Sequence, residues 1–266
     1  MANLKMIELF AGIRAFSLAA KWLSGIETVE AVEINSYCNE KMEKYYPNVV
    51  THGDIRTYSP QTQADIIVGG SPCQGYSQNG KRKGSADSRS GLIKEFLRVC
   101  DRVRPKFIIL ENVRGIHSSG GLQAFCECLH RGGYHFDVEI IKASEVGAPH
   151  QRERVFVVAY AHGTVKAPKG EVFKSWSEQI GSQIERAKSF GIWEGSQLPD
   201  NGISHGFPSR LSGLSALGNA IVPQCAAIAL MRVQYLAECA AHRQPEPKTL
   251  HELRCLMGTE IQAKVI

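Results

Sequence analysis

The stretch GGSPCQGYSQNGKRKG, residues 69–84, places the thiol of Cys73 directly after a proline and ahead of glycine, polar and basic residues. A cysteine there is either a buried filler near a strand end or a nucleophile held on a mobile arm. Glu111 and Asn112 follow the apolar run of KFIILENV. A carboxyl in that position is partly desolvated, which raises its pKa and makes it an acid usable near neutral pH; the alternative is a solvated or helix-capping acid. Arg152 and Arg154, in PHQRERVF, stand two apart at a strand start and so project to one face, toward an anion, a carboxylate or plain solvent. In FAGIRAF, Phe10 precedes Gly12, where backbone turns sharply or passes close to a ligand. Glu33 comes about 20 residues later, where nucleotide-binding sheets place an acid for ribose hydroxyls. Asp54, in HGDI, either accepts a hydrogen bond from an exocyclic amine or closes a turn.

These residues sit at the ends of short apolar runs that alternate with helical patterns. KMIELFAG, TVEAVEI, ADIIVGG, KFIILENV, HFDVEIIKA and RVFVVAYA read as strands. FSLAAKWL, SYCNEKMEKYYP, SGLIKEFLRVCDRV and LQAFCECLHRGG read as the helices between them. The alternation predicts an α/β domain over residues 1–160, built on a doubly wound, mostly parallel sheet with its chemistry at the carboxyl ends of the strands. Residues 161–209 are rich in Gly, Ser, Lys, Glu and Gln without a sustained period, and are expected to form a functional insertion or a small irregular subdomain. A glycine-asparagine turn and an amphipathic helix follow over 210–240, then a tail over 241–266.

Composition narrows the class. With 43% hydrophobic and 21% charged residues, the 266-residue chain reads as a soluble globular protein. Its net charge of +5 permits a polyanionic partner without requiring one. No apolar run is long enough to span a bilayer, and the N-terminus does not read as a signal peptide. The eight cysteines lack the paired spacing of a zinc site or a secreted scaffold, so reduced thiols, no metal and a cytoplasmic location are expected.

As an ordered set, the glycine turn, the ribose acid, GD, PCQ, ENV, RER and GNAIVPQ resemble the motifs of the C5-cytosine DNA methyltransferase family of bacteria and phages. The resemblance implies a Rossmann-like catalytic domain that uses S-adenosyl-L-methionine, with a short target-recognition region over 161–209 and a C-terminal helix that rejoins the first domain. It implies Cys73 as the thiolate that adds to carbon 6 of a flipped-out cytosine, activating carbon 5. Glu111 would protonate or hydrogen-bond ring N3, Arg154 would hold the carbonyl oxygen of the base, and Arg152 would orient the carboxylate or the loop. Gln74, Ser77, Arg89 and Asn112 match substrate-contacting positions, and Asp87 beside Arg89 a supporting one. Phe10, Gly12, Ile13 and Arg14 match the first cofactor loop. Glu33 and Ile34, Asp54 and Ile55, then Pro72, Asn219 and Ala220 complete the cofactor set.

The resemblance also implies double-stranded DNA as partner, a monomer and a cognate restriction endonuclease. In the recognition region, Lys166, Lys169, Lys174, Arg186 and Lys188, with Arg210 just beyond, are candidates for phosphates, and Gln179, Gln183, Asn201 and Ser204 for base edges. The chain departs from the family pattern in four places. Arg14 and Ala15 replace the second and third glycines of F-x-G-x-G-G, Ser71 replaces an aromatic residue, His150 a glutamine and Ala220 a serine. Arg14 either pairs with the carboxylate of the cofactor or obstructs its site. The second case leaves a catalytically impaired DNA-binding member as an alternative, and an RNA cytosine-5 methyltransferase is another.

Overall fold

The computed structural model describes residues 3–72, 91–165, 173–191 and 220–239. Among them, seven strands form one sheet in the order β3-β2-β1-β4-β5-β7-β6. β1 (Leu4–Leu9), β2 (Ile26–Val32), β3 (Val50–His52), β4 (Ile66–Gly70) and β5 (Phe107–Val113) run parallel. β7 (Glu153–Ala161) is antiparallel to both β5 and β6 (Tyr134–Lys142). The six strands read from the sequence are all present. β3, three residues long at the sheet edge, is additional and too short to carry a periodic signal.

Period-two alternation splits each central strand between two cores. Ile7, Leu9, Ile67, Ile108, Leu110, Val155 and Val157 meet α3 (Leu92–Val103) and α5 (Gly121–Arg131) on one face. Met6, Ile66, Val68, Phe107, Ile109, Phe156 and Val158 meet α1 (Ala15–Leu23) and the C-terminal helix on the other. α2 (Ser36–Glu43) follows β2, and the one-turn α4 (Gly115–Ser118) follows β5.

The stretch expected to be irregular contains a regular helix, α6 (Trp176–Lys188). Ser175 accepts from the Glu178 N–H while Glu178 accepts from the Ser175 N–H, a closed capping box. Trp176 and Ala187 belong to the same core as the C-terminal helix α7 (Pro223–Glu238). Arg232 of α7, fully buried, holds the three parts together: it donates to Asp137 Oδ2 on β6 at 3.0 and 3.1 Å, to the Lys174 carbonyl at 2.9 Å and to Gln179 Oε1 at 2.8 Å. The hydrophobic core on this face of the sheet therefore includes residues of α6, beyond residue 160.

Candidate active site

The carboxyl ends of β1, β2, β4 and β5 lie side by side in the sheet, and most of the described candidate residues gather there. The loop after β1 has an unusual backbone: Phe10, Gly12 and Arg14 all have positive φ, at 53°, 51° and 62°. Among the described residues nothing lies within 4 Å of the point where a Cβ on Gly12 would stand, so the loop faces open space among them there. Glu33 ties this loop to the next. Its Oε2 accepts the Gly12 N–H and its Oε1 the Asn35 N–H, each at 2.8 Å. A carboxylate offers about four lone-pair sites, so Glu33 retains acceptor capacity for two hydroxyls. Beside it Ile34 is 68% exposed.

Arg14 is packed into the protein beside the β3 edge. Its guanidinium is 1% exposed, donates through Nη2 to Thr51 Oγ1 and lies 5.5 Å from the ring centroid of Tyr46. Nη1 is buried as well and makes no hydrogen bond. Burial lowers the pKa of Arg14, and Glu8, Tyr46 and Glu43 act to raise it. Glu8, on β1, is a buried acid beneath this loop that the sequence reading did not single out. Its carboxyl accepts the Phe16 and Ser17 N–H groups at the start of α1, each at 3.1 Å, together with the Ser17 hydroxyl. Burial pushes its pKa up to about 7 against those hydrogen bonds and Arg14. An acid inside the apolar run KMIELF was the available signal.

Asp54 is engaged by its own neighbour: Arg56 donates its backbone N–H at 2.9 Å and its guanidinium to both carboxylate oxygens. An exocyclic amine would therefore compete with Arg56. The Ile55 side chain is buried in the core, so only its backbone is available to a ligand. Ile13 and Ala220 are half-buried.

On the catalytic side, Glu111 is 6% exposed and pairs with Arg154, whose Nε lies 2.8 Å from Oε1. Burial raises the Glu111 pKa; Arg154 and then Arg152 pull it back down, and the net shift is upward. The structure therefore brings the ENV carboxyl and the arginine pair together, although β7 begins at Glu153 and leaves Arg152 just outside the strand. Asn112 faces the other way along the site. Its Nδ2 donates to the Ser71 carbonyl and Oγ at 3.3 and 3.1 Å, and its Oδ1 accepts the Val113 N–H. It thus fixes the chain just before Pro72. Cys73, Gln74, Ser77, Asp87, Arg89 and Asn219 lie outside the described residues. The six described cysteines are all buried, and Cys225, the one that senses Glu111, is pushed up to about 12 by burial. A thiol in that state is no nucleophile at neutral pH.

Gln179 and Gln183, candidates for base edges, are occupied elsewhere. Gln183 is buried and accepts the Trp176 indole N–H at 2.9 Å, and Gln179 accepts from Arg232. Lys188 pairs with Glu185. Lys166, Lys169, Asn201, Ser204 and Arg210 lie outside the described residues.

A mostly parallel sheet with an antiparallel strand, β7, between β5 and β6, carrying a glycine loop, an acid bound to that loop and a buried acid–arginine pair at its carboxyl ends, has the architecture of the Rossmann-like methyltransferases. The family model for C-5 cytosine-specific DNA methylases matches residues 4–197, and the chain belongs to that family. It is 31% identical over 175 residues to the orphan methyltransferase M.SPRI of Bacillus phage SPR, covering 62% of this chain and 40% of that one. It is 32% identical over 165 residues to the type II methyltransferase M.HhaI of Haemophilus parahaemolyticus, covering 60% and 50%. The chain thus spans half or less of the length of these relatives. Among solved structures, a DNA modification methyltransferase encoded within an E. coli prophage superposes with a TM-score of 0.51 at 30% identity, over 59% of this chain and 47% of that one.

Proposed function

We propose that the chain is a DNA (cytosine-5-)-methyltransferase acting on a cytosine flipped out of duplex DNA. The observation that carries this reading is the Glu111–Arg154 pair, buried at the end of β5 and one strand away from the β4 end that leads into Pro72–Cys73. S-adenosyl-L-methionine fits the opposite loops: space at Gly12 open among the described residues, acceptor capacity on Glu33 for the ribose and exposed Ile34 for the adenine. When bound, it supplies an electrophilic methyl group.

The residues of the chain do the rest. Carbon 5 of cytosine is a poor nucleophile, and adding a thiolate from Cys73 to carbon 6 makes it an enamine carbon able to attack. Glu111, kept protonated more readily by its burial, gives or shares a proton with N3 as charge develops there. In this reading Arg154 holds the neighbouring carbonyl oxygen, and its contact with Glu111 through Nε supports a joint role for the two. Asn112, through Ser71, holds the approach to Cys73. The burial of Arg14 removes the guanidinium from the open side of the loop, which supports an active enzyme over an impaired one.

Target recognition belongs, in this reading, to the parts of 161–209 that flank α6, because one face of α6 is packed into the core and fixes the helix there. Among the described residues no helix is long and apolar enough to cross a membrane and no cluster suits a metal ion; a cytoplasmic monomer, with or without a cognate endonuclease, is the setting we propose. Bisulfite sequencing of DNA from cells expressing the chain tests the activity and its sequence context together. Protected cytosines in one context, lost in Cys73→Ala, are expected; none in the wild type would overturn the reading.

A further inference from the structure

A methyl group on Gly70 would lie 2.4 Å from Glu111 Oε2 and 3.2 Å from Ile221 Cδ1. Room for a Cβ there would have to come from a shift of the Glu111 carboxyl, whose other oxygen is held by Arg154, so the absence of a side chain at Gly70 leaves the hollow in which these two groups converge. Gly70 pairs with Glu111 in the β4–β5 ladder, and the carboxyl folds back over this neighbour while Oε1 reaches Arg154. Ile221 comes from a different part of the chain, the GNAIVPQ segment, and sits next to Ala220 ahead of α7.

We propose that Gly70 and Ile221 are positioning residues for Glu111: Gly70 is the seat of Oε2 and Ile221 the apolar cover that keeps water off it. The catalytic consequence rests on the function proposed above; the geometry does not. Among the described residues, Arg154 and Arg152 on the β7 side and Cys225 on α7 are the titratable groups that act on this carboxyl or sense it. Both arginines favour the ionised acid, and the buried thiol carries no charge at neutral pH. The seat and cover therefore supply the opposing influence, an apolar wall that favours the protonated acid and leaves one oxygen pointing at a fixed place. Because Ala220 belongs to the expected cofactor set, the cover also links the cofactor segment to the acid.

The test reads the acid directly. Glutamate carboxyl carbons are labelled with carbon-13, Glu111→Gln assigns the resonance, and its titration is followed in wild type, Ile221→Ala, Ile221→Leu and Gly70→Ala. Ile221→Ala is expected to lower the Glu111 midpoint by about half to one pH unit, as water reaches Oε2. Ile221→Leu, which restores a terminal methyl, is expected to recover most of that shift. Gly70→Ala is expected to move the Glu111 resonance and to cut single-turnover methyl transfer on the order of 100-fold while leaving cofactor affinity within about threefold. A Glu111 midpoint that is the same in Ile221→Ala as in wild type overturns the proposal. Should Ile221→Ala give an unfolded spectrum, Gly70→Ala decides: an unmoved Glu111 resonance overturns it equally. A wild type that transfers no methyl group but shows the expected titration shifts would sink the proposed function and keep the seat and cover.

Discussion

Arg14 donates to the hydroxyl of Thr51, 37 residues further along the chain, and in doing so turns its guanidinium toward the β3 edge of the sheet. The family pattern puts glycine at this position for a backbone reason visible here: the φ of Arg14 is +62°, where a Cβ costs about 1–2 kcal/mol. The chain tolerates that strain because the side chain is buried against Thr51 and Tyr46 and offsets the charge of Glu8.

The first prediction follows for Arg14→Gly. The substitution relieves the strain but removes a buried charged donor, whose loss costs about 1.5–3 kcal/mol, so a net destabilisation of about 1 kcal/mol is expected in urea. Affinity for S-adenosyl-L-methionine, measured by calorimetric titration, should stay within about threefold, because the unpaired Nη1 is closed off from solvent and has no route to a ligand. A tenfold weakening would mean instead that Arg14 pairs with the carboxylate of the cofactor.

Glu8 makes stability depend on pH. Its folded pKa of about 7 lies above the ordinary carboxylate value of 4.5, so the folded state holds the proton more tightly than the unfolded one. The resulting stabilisation is complete below about pH 4.5 and is lost as pH rises through about 7, with a total on the order of 3 kcal/mol. Glu8→Gln keeps an acceptor for the α1 amides and cannot ionise. Urea midpoints measured from pH 5 to 8 should fall in the wild type and flatten in Glu8→Gln. Parallel curves would remove Glu8 from the account.

How far the sequence reaches can be judged from particular residues. Strands buried on both faces read as continuous apolar runs, so six strands and their order along the chain were legible. The residues alone left the arginine pair facing an anion, a carboxylate or solvent; only the family resemblance pointed it at Glu111, because spacing along the chain does not say which strand ends become neighbours. The direction of Arg14 was not legible either: a glycine-to-arginine change in a loop says nothing about which neighbour receives the guanidinium, and the receiving residues, Tyr46 and Thr51, lie outside every motif. The helix α6 was hidden by polar composition, although Trp176, Ile180, Ile184 and Ala187 recur at helical spacing behind a Ser-x-x-Glu start. The seat at Gly70 depends on two segments about 150 residues apart touching one point, which no local pattern encodes.

Arg232 offers a third prediction. Arg232→Ala takes a shared partner from Asp137, Gln179 and the Lys174 carbonyl; because Asp137 keeps 24% exposure, the cost should fall below the roughly 3–5 kcal/mol of breaking a fully buried ion pair. Hydrogen exchange should show the amides of α6 opening long before those of α1 in this variant, whereas in the wild type both should exchange with the global unfolding event. If α6 already exchanges early in the wild type, it is a surface appendage and not core.

The last prediction separates recognition from architecture within residues 161–209. Gln183 holds the Trp176 indole and Gln179 holds Arg232, so neither side chain is free to read a base edge in this arrangement. Gln183→Leu leaves the buried indole N–H without its acceptor and should cost about 1–3 kcal/mol. Gln179→Ala removes one bond to a buried guanidinium and should cost a similar amount. Neither variant should change the sequence context of methylated cytosines in bisulfite reads, although both should lower the yield of folded protein. Exchanging residues 192–209 for those of a relative, with α6 kept intact, should redirect the context and leave stability nearly unchanged. Exchanging α6 as well should abolish folding, because Trp176 and Ala187 are shared with the core around α7. A Gln183→Leu enzyme that methylates a new context would place α6 against the DNA and overturn this division.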